Sequence, residues 1–141
     1  VIRAVLDTNV LVSAVLAPNS GVARSLDCWR DRLFVLLLSP ALMVELGEVL
    51  RYPRLRRRHR WTGTEVGQFL DGLAAMAVVV PGQITGSFVE ADPDDDAVIA
   101  CAIEGSASVV VTGDQHLLAL GEIQGAHIVT PRQFLDALGA V

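Results

Sequence analysis

Four acidic residues stand out by where they sit relative to apolar runs. Asp7 directly follows the run Arg3-Ala-Val-Leu6. Glu45 lies within the apolar stretch Leu42–Val49. Asp96 opens onto Ala97-Val-Ile-Ala100, and Asp114 lies just past Val109-Val-Val111. One carboxylate in such a place is ordinary. Asp7 could bond backbone amides in a turn, and Glu45 could be solvated on a helix edge. The acids Asp92, Asp94, Asp95 and Asp96 could cap a helix, and Asp114, after Gly113, could serve a turn. Taken together they ask for more, because clustered carboxylates repel and raise one another's pKa. An oxygen-rich, negatively charged site is what a hard divalent cation requires. Mg2+ or Mn2+ would offset the repulsion, activate a water and hold a phosphate oxygen for in-line attack.

The elements that must position these acids follow from the apolar pattern. Arg3–Leu6, Phe34–Leu38, Ala77–Val80, Val109–Val111 and Ile128–Val129 read as short strands. Helical spacing runs from Asn9 to Leu16 and from Val22 to Trp29. Ser39 then caps a helix that starts at Pro40 and continues to about Tyr52, with Pro53 behind it. A further helix is expected from Thr64 to Ala75 with Thr64 as a possible cap, and residues 82–91 read as loop. Asp92-Pro-Asp-Asp-Asp96 opens a helix to about Glu104, and Thr130 caps a closing helix, Pro131–Leu138. Strands alternating with helices predict an α/β fold of three layers, α/β/α, with a parallel central sheet. Ligands of such sheets bind beyond the carboxyl ends of the strands. Asp7, Asp96 and Asp114 all fall at that edge, and Glu45 lies beside the stripe Leu42, Leu46, Val49.

The motifs around these acids resemble those of PIN domains. Val-Leu-Asp7-Thr-Asn9-Val-Leu-Val-Ser resembles their opening and Ser-Pro-Ala-Leu-Met-Val-Glu45-Leu their second motif. Asp96-Ala-Val-Ile-Ala-Cys-Ala resembles the third, and Val-Val-Thr112-Gly-Asp114-Gln-His-Leu-Leu the fourth. The match is collinear and spans almost the whole chain, so residues 1–141 read as a single PIN-like nuclease domain. The resemblance implies Mg2+ or Mn2+ at the carboxylates and hydrolysis of RNA phosphodiester bonds. Carried over by position, Asp7, Glu45, Asp96 and Asp114 are the acids of the site, with Asp7 and Asp96 the firmest metal ligands. Asn9 and Thr112 are supporting polar groups, and Asp92 or Asp95 could contribute beside Asp96. Many small stand-alone PIN proteins are toxins of toxin–antitoxin pairs, often homodimers silenced by an antitoxin peptide, and this chain has their size.

Charge adds a second candidate. The net charge is -5, which disfavours a general nucleic-acid binder, yet residues 51–60 hold six arginines and no acid. The other five arginines face all sixteen acids, a net of -11 outside that window. A local basic patch binds phosphates even on an acidic protein, so Arg54, Arg56, Arg57, Arg58 and Arg60 are candidates for contact with RNA or an antitoxin. The bland alternative is a solvated helix end whose stems cover apolar surface. Trp61, beside Arg60, is a candidate to stack a base. His116 reads as a loop or helix-start residue rather than a ligand.

Composition narrows the remaining classes. At 141 residues the chain suits one domain, and at 52% hydrophobic residues its core is well supplied: either apolar surface is left over for a homodimer, or an Ala- and Val-rich core needs no partner. No apolar run reaches the ~20 residues needed to span a bilayer. Val1–Leu6 makes a poor signal peptide because an aspartate follows, so the chain reads as cytoplasmic with no membrane partner. Cys28 and Cys101 read as reduced core residues. A receiver-type phosphoacceptor domain relies on a lysine and this chain has none; a haloacid-dehalogenase-type phosphatase would also want an acid where Asn9 stands. No Gly-x-x-x-x-Gly-Lys loop supports an NTPase. A non-cleaving PIN module remains the nearer alternative, and acids at all four positions argue against it.

Overall fold

Runs of Val, Leu and Ala too short to bury themselves line up as neighbouring strands, and helices cover both faces. The computed structural model describes residues 1–84 and 95–139, Asp95 by its backbone alone. The elements run β1 (Arg3–Leu6), α1 (Thr8–Leu16), α2 (Gly21–Arg30), β2 (Val35–Leu38), α3 (Pro40–Leu50), α4 (Pro53–His59) and α5 (Gly63–Met76). They continue with β3 (Val78–Val79), α6 (Asp95–Glu104), β4 (Val109–Val111), α7 (Gln115–Leu120), β5 (Glu122–Ile123), β6 (Ala126–Val129) and α8 (Pro131–Leu138). The described strands form one sheet in the order β3-β2-β1-β4-β6-β5.

Alternate strand residues go to opposite faces, and each face has its own core. Ala4, Leu6, Leu36, Leu38 and Val111 pack with α1, α2 and α8, and Phe34, just before β2, meets Phe134 of α8 with ring centroids 4.9 Å apart. Val5, Leu37 and Val110 pack on the other side with Val98, Ile99 and Ala102 of α6 and with Leu117 of α7. Val5, Leu36, Leu37 and Val110 are fully buried. That is why these strands read as continuous apolar runs rather than as alternations.

The chain steps outward from β1 to β2 to β3, then returns to place β4 on the other flank of β1. β1 pairs in parallel with both β2 and β4, in a register that sets Leu6 against Val111. The order therefore reverses between β1 and β4, which is where a crevice opens at the carboxyl edge of such a sheet.

The three-layer α/β/α expectation holds, with corrections in detail. The sheet is not wholly parallel, since β5 runs antiparallel to β6 at one edge. The arginine cluster, whose bland reading is a solvated helix end, lies on and around a helix of its own, because α3 stops at Leu50 and Pro53 starts the next helix at a position where proline fits. The cap of α5 is Thr62 rather than Thr64: its hydroxyl accepts from the Glu65 amide while the Glu65 carboxylate accepts from the Thr62 amide. Beyond Asp114 the chain forms the short helix α7. Ser39 and Thr130 cap α3 and α8 as the sequence indicates.

Candidate active site

Asp7 stands where β1 stops and α1 starts. Its amide donates to the Val111 carbonyl at 2.9 Å, continuing the ladder with β4, while its own carbonyl accepts from Val10 and Leu11, opening the helix. The backbone is thus held from both sides, and the side chain projects into the crevice between β1 and β4. Asp7 is only 6% exposed, and Thr112 beside it is fully buried. The Thr112 hydroxyl donates to Asp7 Oδ2 at 2.7 Å and accepts from the Asp114 amide at 3.0 Å. A threonine hydroxyl has one proton. With an N–H already aimed at its oxygen, that proton is directed to Asp7.

Asp114 follows two residues later as the cap of α7, its Oδ1 accepting from the amides of His116 and Leu117 at 2.7 and 3.3 Å. His116 Nδ1 lies 3.6 Å from the same oxygen, on an exposed side chain. Burial holds the Asp7 carboxyl above the usual aspartate value, and the Asp114 charge pushes in the same direction. The Thr112 hydroxyl and the backbone N–H groups of Thr8 and Asn9 oppose the rise without cancelling it. A buried carboxylate that resists ionising, beside a second carboxylate, suits a cation that would compensate both.

Asp96 sits in the first turn of α6, half-buried. It lines a cavity of about 220 Å³ whose other walls include Ser39, Ala41, Ala97, Cys101 and Glu104. Glu104 is engaged there with the amides of Gly82 and Gln83, which fixes the chain after β3. Cys101 is no nucleophile, since burial, seconded by the Glu104 charge, pushes its thiol up to about 12. Cys28 and Cys101 are both free and buried.

Glu45 faces a larger groove of about 720 Å³ together with Pro40, Ala41, Glu48, Tyr52 and Ala97. Ala41 and Ala97 belong to both hollows, so Asp96 and Glu45 look onto one trough between α3 and α6. The fold therefore joins Asp7, Thr112 and Asp114 directly and lays Asp96 and Glu45 along the trough. Among the described residues, no three His, Cys, Asp or Glu side chains close around a single point. All four acids offer hard oxygen donors of the kind Mg2+ or Mn2+ takes, so in donor chemistry they fit such an ion.

Asn9 is exposed in the first turn of α1. Asp92 and Asp94 lie outside the described residues, as does the Asp95 side chain. Sequence reasoning passed over Thr8, whose hydroxyl is buried with no hydrogen-bond partner among the described residues. A polar, β-branched residue directly after Asp7 was the available signal. All five candidate arginines, Arg54, Arg56, Arg57, Arg58 and Arg60, are exposed on and just beyond α4, whose Leu55 is buried.

A family model described as PIN domain matches residues 3–116. The uncharacterized protein MJ1680 of Methanocaldococcus jannaschii is 30% identical over 145 residues, covering 96% of this chain and 90% of its own. Among solved structures, PAE2754 from Pyrobaculum aerophilum matches with a TM-score of 0.64 at 18% identity, over 99% of this chain and 91% of its own. VapBC2 from Rickettsia felis, solved bound to a DNA fragment from their promoter, matches with a TM-score of 0.61 at 13% identity, over 92% of this chain and 98% of that one. At these identities the two structures speak for the fold.

Proposed function

The chain belongs to the PIN-domain family, whose members are in general nucleases, and from that membership we propose that it is a metal-dependent endoribonuclease acting as the toxin of a toxin–antitoxin pair. The observation that carries the nuclease reading is the buried Asp7, tied through the Thr112 hydroxyl to Asp114 at the point where the strand order reverses. A purely structural aspartate would gain little from burial beside another carboxylate, whereas a metal ligand needs that arrangement. The toxin reading draws on the shared fold with the VapBC2 structure, and under it an antitoxin protein would be the partner and the cytoplasm the place of action.

Asp7, Asp96, Asp114 and Glu45 would hold Mg2+ or Mn2+, with Asp92 or Asp95 assisting Asp96. A bound ion of that kind supplies a water of lowered pKa and a Lewis acid for a phosphate oxygen. The chain's own residues do the positioning. Thr112 holds Asp7 in one orientation, so its carboxylate is ready without a rotamer search. The α7 amides hold Asp114 Oδ1 in the same way. The trough between α3 and α6 leaves room for a strand of RNA to lie past Glu45 and Asp96.

The test is incubation of purified protein with a mixed RNA pool, with Mn2+, with Mg2+ and with chelator, beside an Asp7→Asn variant and a DNA control. We expect metal-dependent cleavage of RNA that falls by orders of magnitude in the variant. Cleavage by Asp7→Asn at the parent rate would overturn the reading. Absence of cleavage in the parent under all conditions would favour a PIN module that binds RNA or a protein without cutting.

A further inference from the structure

The arginine cluster is one run in sequence but two faces in space. At about 100° per residue on a helix, Pro53, Arg56, Arg57 and Arg60 share one face of α4, and Arg54 and Arg58 point roughly 130° away. The structure bears this out. Arg56, Arg57 and Arg60 line a cleft of about 460 Å³ with Pro53, Trp61 and Thr62, and Arg54 and Arg58 do not line it. None of the three forms an ion pair among the described residues. Cations in the last turn of a helix are favoured by its dipole, which accounts for one or two arginines on any face. It does not account for three on one cleft beside an indole, none of them ion-paired among the described residues.

That indole is held in place. Trp61 is half-buried, its ring 5.3 Å from Phe69 and 5.5 Å from His59. His59 Nδ1 accepts from the Trp61 amide at 2.9 Å, and His59 Nε2 bonds the Leu50 carbonyl at 2.8 Å. Arg60 ends α4 at φ 60, a left-handed conformation that residues with a Cβ disfavour and that helix ends usually give to glycine. The strain turns the chain so that Arg60 and Trp61 reach the same cleft. A fixed aromatic face flanked by guanidinium groups is what an unpaired base and its neighbouring phosphates require. Along the chain the cleft follows directly on the groove that Glu45 lines: Tyr52 of the groove wall is the cap residue from which Pro53, at the cleft, starts α4.

We propose that this cleft binds single-stranded RNA away from the carboxylates, one unpaired base on Trp61 and its neighbouring phosphates on Arg56, Arg57 and Arg60. The identity of the strand rests on the ribonuclease reading, since the cleft would hold the same molecule whose bond lies at the trough. Such a subsite selects where an RNA is cut by requiring an unpaired base at a set distance from the cleaved bond.

The experiment is fluorescence anisotropy with a labelled single-stranded RNA decamer, in EDTA so that cleavage plays no part. The exposed triple variant Arg56→Ala, Arg57→Ala, Arg60→Ala is expected to bind more weakly and to lower the slope of log affinity against log salt by about two, at ~0.7 per phosphate on a single strand. Arg54→Ala with Arg58→Ala is expected to bind close to the parent. Trp61→Ala, its folding checked by thermal melting, is expected to lose about tenfold to a hundredfold in affinity. In unaltered protein, RNA should quench Trp61 emission and polyphosphate should not, Trp29 being buried. Normal RNA binding by the triple variant overturns the proposal and leaves the cleft to a protein partner, and saturation with RNA without quenching of Trp61 overturns the stacking. Binding as described in EDTA, with no metal-dependent cleavage in the pool assay, overturns the nuclease reading and leaves the cleft standing.

Discussion

Asp7 is subject to opposed demands, and they can be separated by one substitution. Its folded pKa lies above the ordinary aspartate value of 3.8, chiefly through burial. The folded protein therefore binds this proton more tightly than the unfolded chain does. The stabilisation this gives is present below 3.8 and is lost as pH rises through the higher folded value. Near neutrality the ionised, metal-free Asp7 works against folding. Asp7→Asn keeps the shape and an acceptor for the Thr112 hydroxyl but removes that charge. Its metal-free melting temperature is expected to exceed the parent's at pH 7, with a flatter dependence on pH. In Mn2+ at a hundredfold excess over the dissociation constant, the parent should gain about 2.7 kcal/mol and overtake a variant that gains little. Melting curves of both proteins across pH, with chelator and with Mn2+, provide the check; a variant that melts lower in chelator and gains equally from Mn2+ contradicts it. The placement of Asp7 and Asp114 was legible in sequence, because an acid directly after an apolar run, as Asp7 is, or just past one, as Asp114 is, lies at a strand's carboxyl end. The Thr112 relay was not, since it depends on which way one buried hydroxyl points.

At the scale of elements, what the sequence conveyed well were long apolar patterns, and what it conveyed poorly were boundaries fixed by a single side chain. Thr62 and Thr64 both stand before the α5 pattern. Only Thr62 has a glutamate three residues on, and that capping box decides the start. Thr62→Ala is expected to cost about 1 kcal/mol, within the usual 0.5–2 for a lost cap. Thr64→Ala should be close to neutral, and equal losses in chemical denaturation would mean the cap is misassigned. The same limit hid α4, where four arginines mask a helix that buries only Leu55. It also hid β5, a two-residue strand returning through Gln124 at φ 46 and Gly125 at φ 87. Two left-handed residues in a row make the tight hairpin turn, but glutamine in place of asparagine weakens its signature.

Over the whole molecule, the two edges of the sheet are guarded unequally, and that asymmetry bears on assembly. The β5 edge carries charge, with Glu122 Oε2 3.8 Å from His127 Nδ1 across the β5–β6 pair. The β3 edge carries Val78 and Val79, each 43% exposed, with Met76 at 57% and Leu33 at 49% nearby. A hollow next to it is lined by Trp29, Phe34, Val35, Leu36, Met76 and Val78, with Arg32 as its one charged residue. Unpaired edge strands attract other strands, and proteins commonly guard them with lysine. This chain has no lysine anywhere. A two-fold axis through β3 would pair it antiparallel with its copy and cover the apolar rim on both protomers with one self-complementary contact. We therefore expect a homodimer of the 15.0 kDa chain in solution, joined at this edge. Val78→Lys with Val79→Lys, both on exposed positions, should return it to a monomer with its melting temperature nearly unchanged. Light scattering at micromolar concentration reads both states. A parent at the monomer mass excludes the dimer, and a dimer indifferent to the lysines moves the interface elsewhere. Because the edge lies two strands from the β1–β4 crevice, the monomeric variant should also keep its cleavage rate; a monomer that no longer cleaves would mean that the copy completes the site.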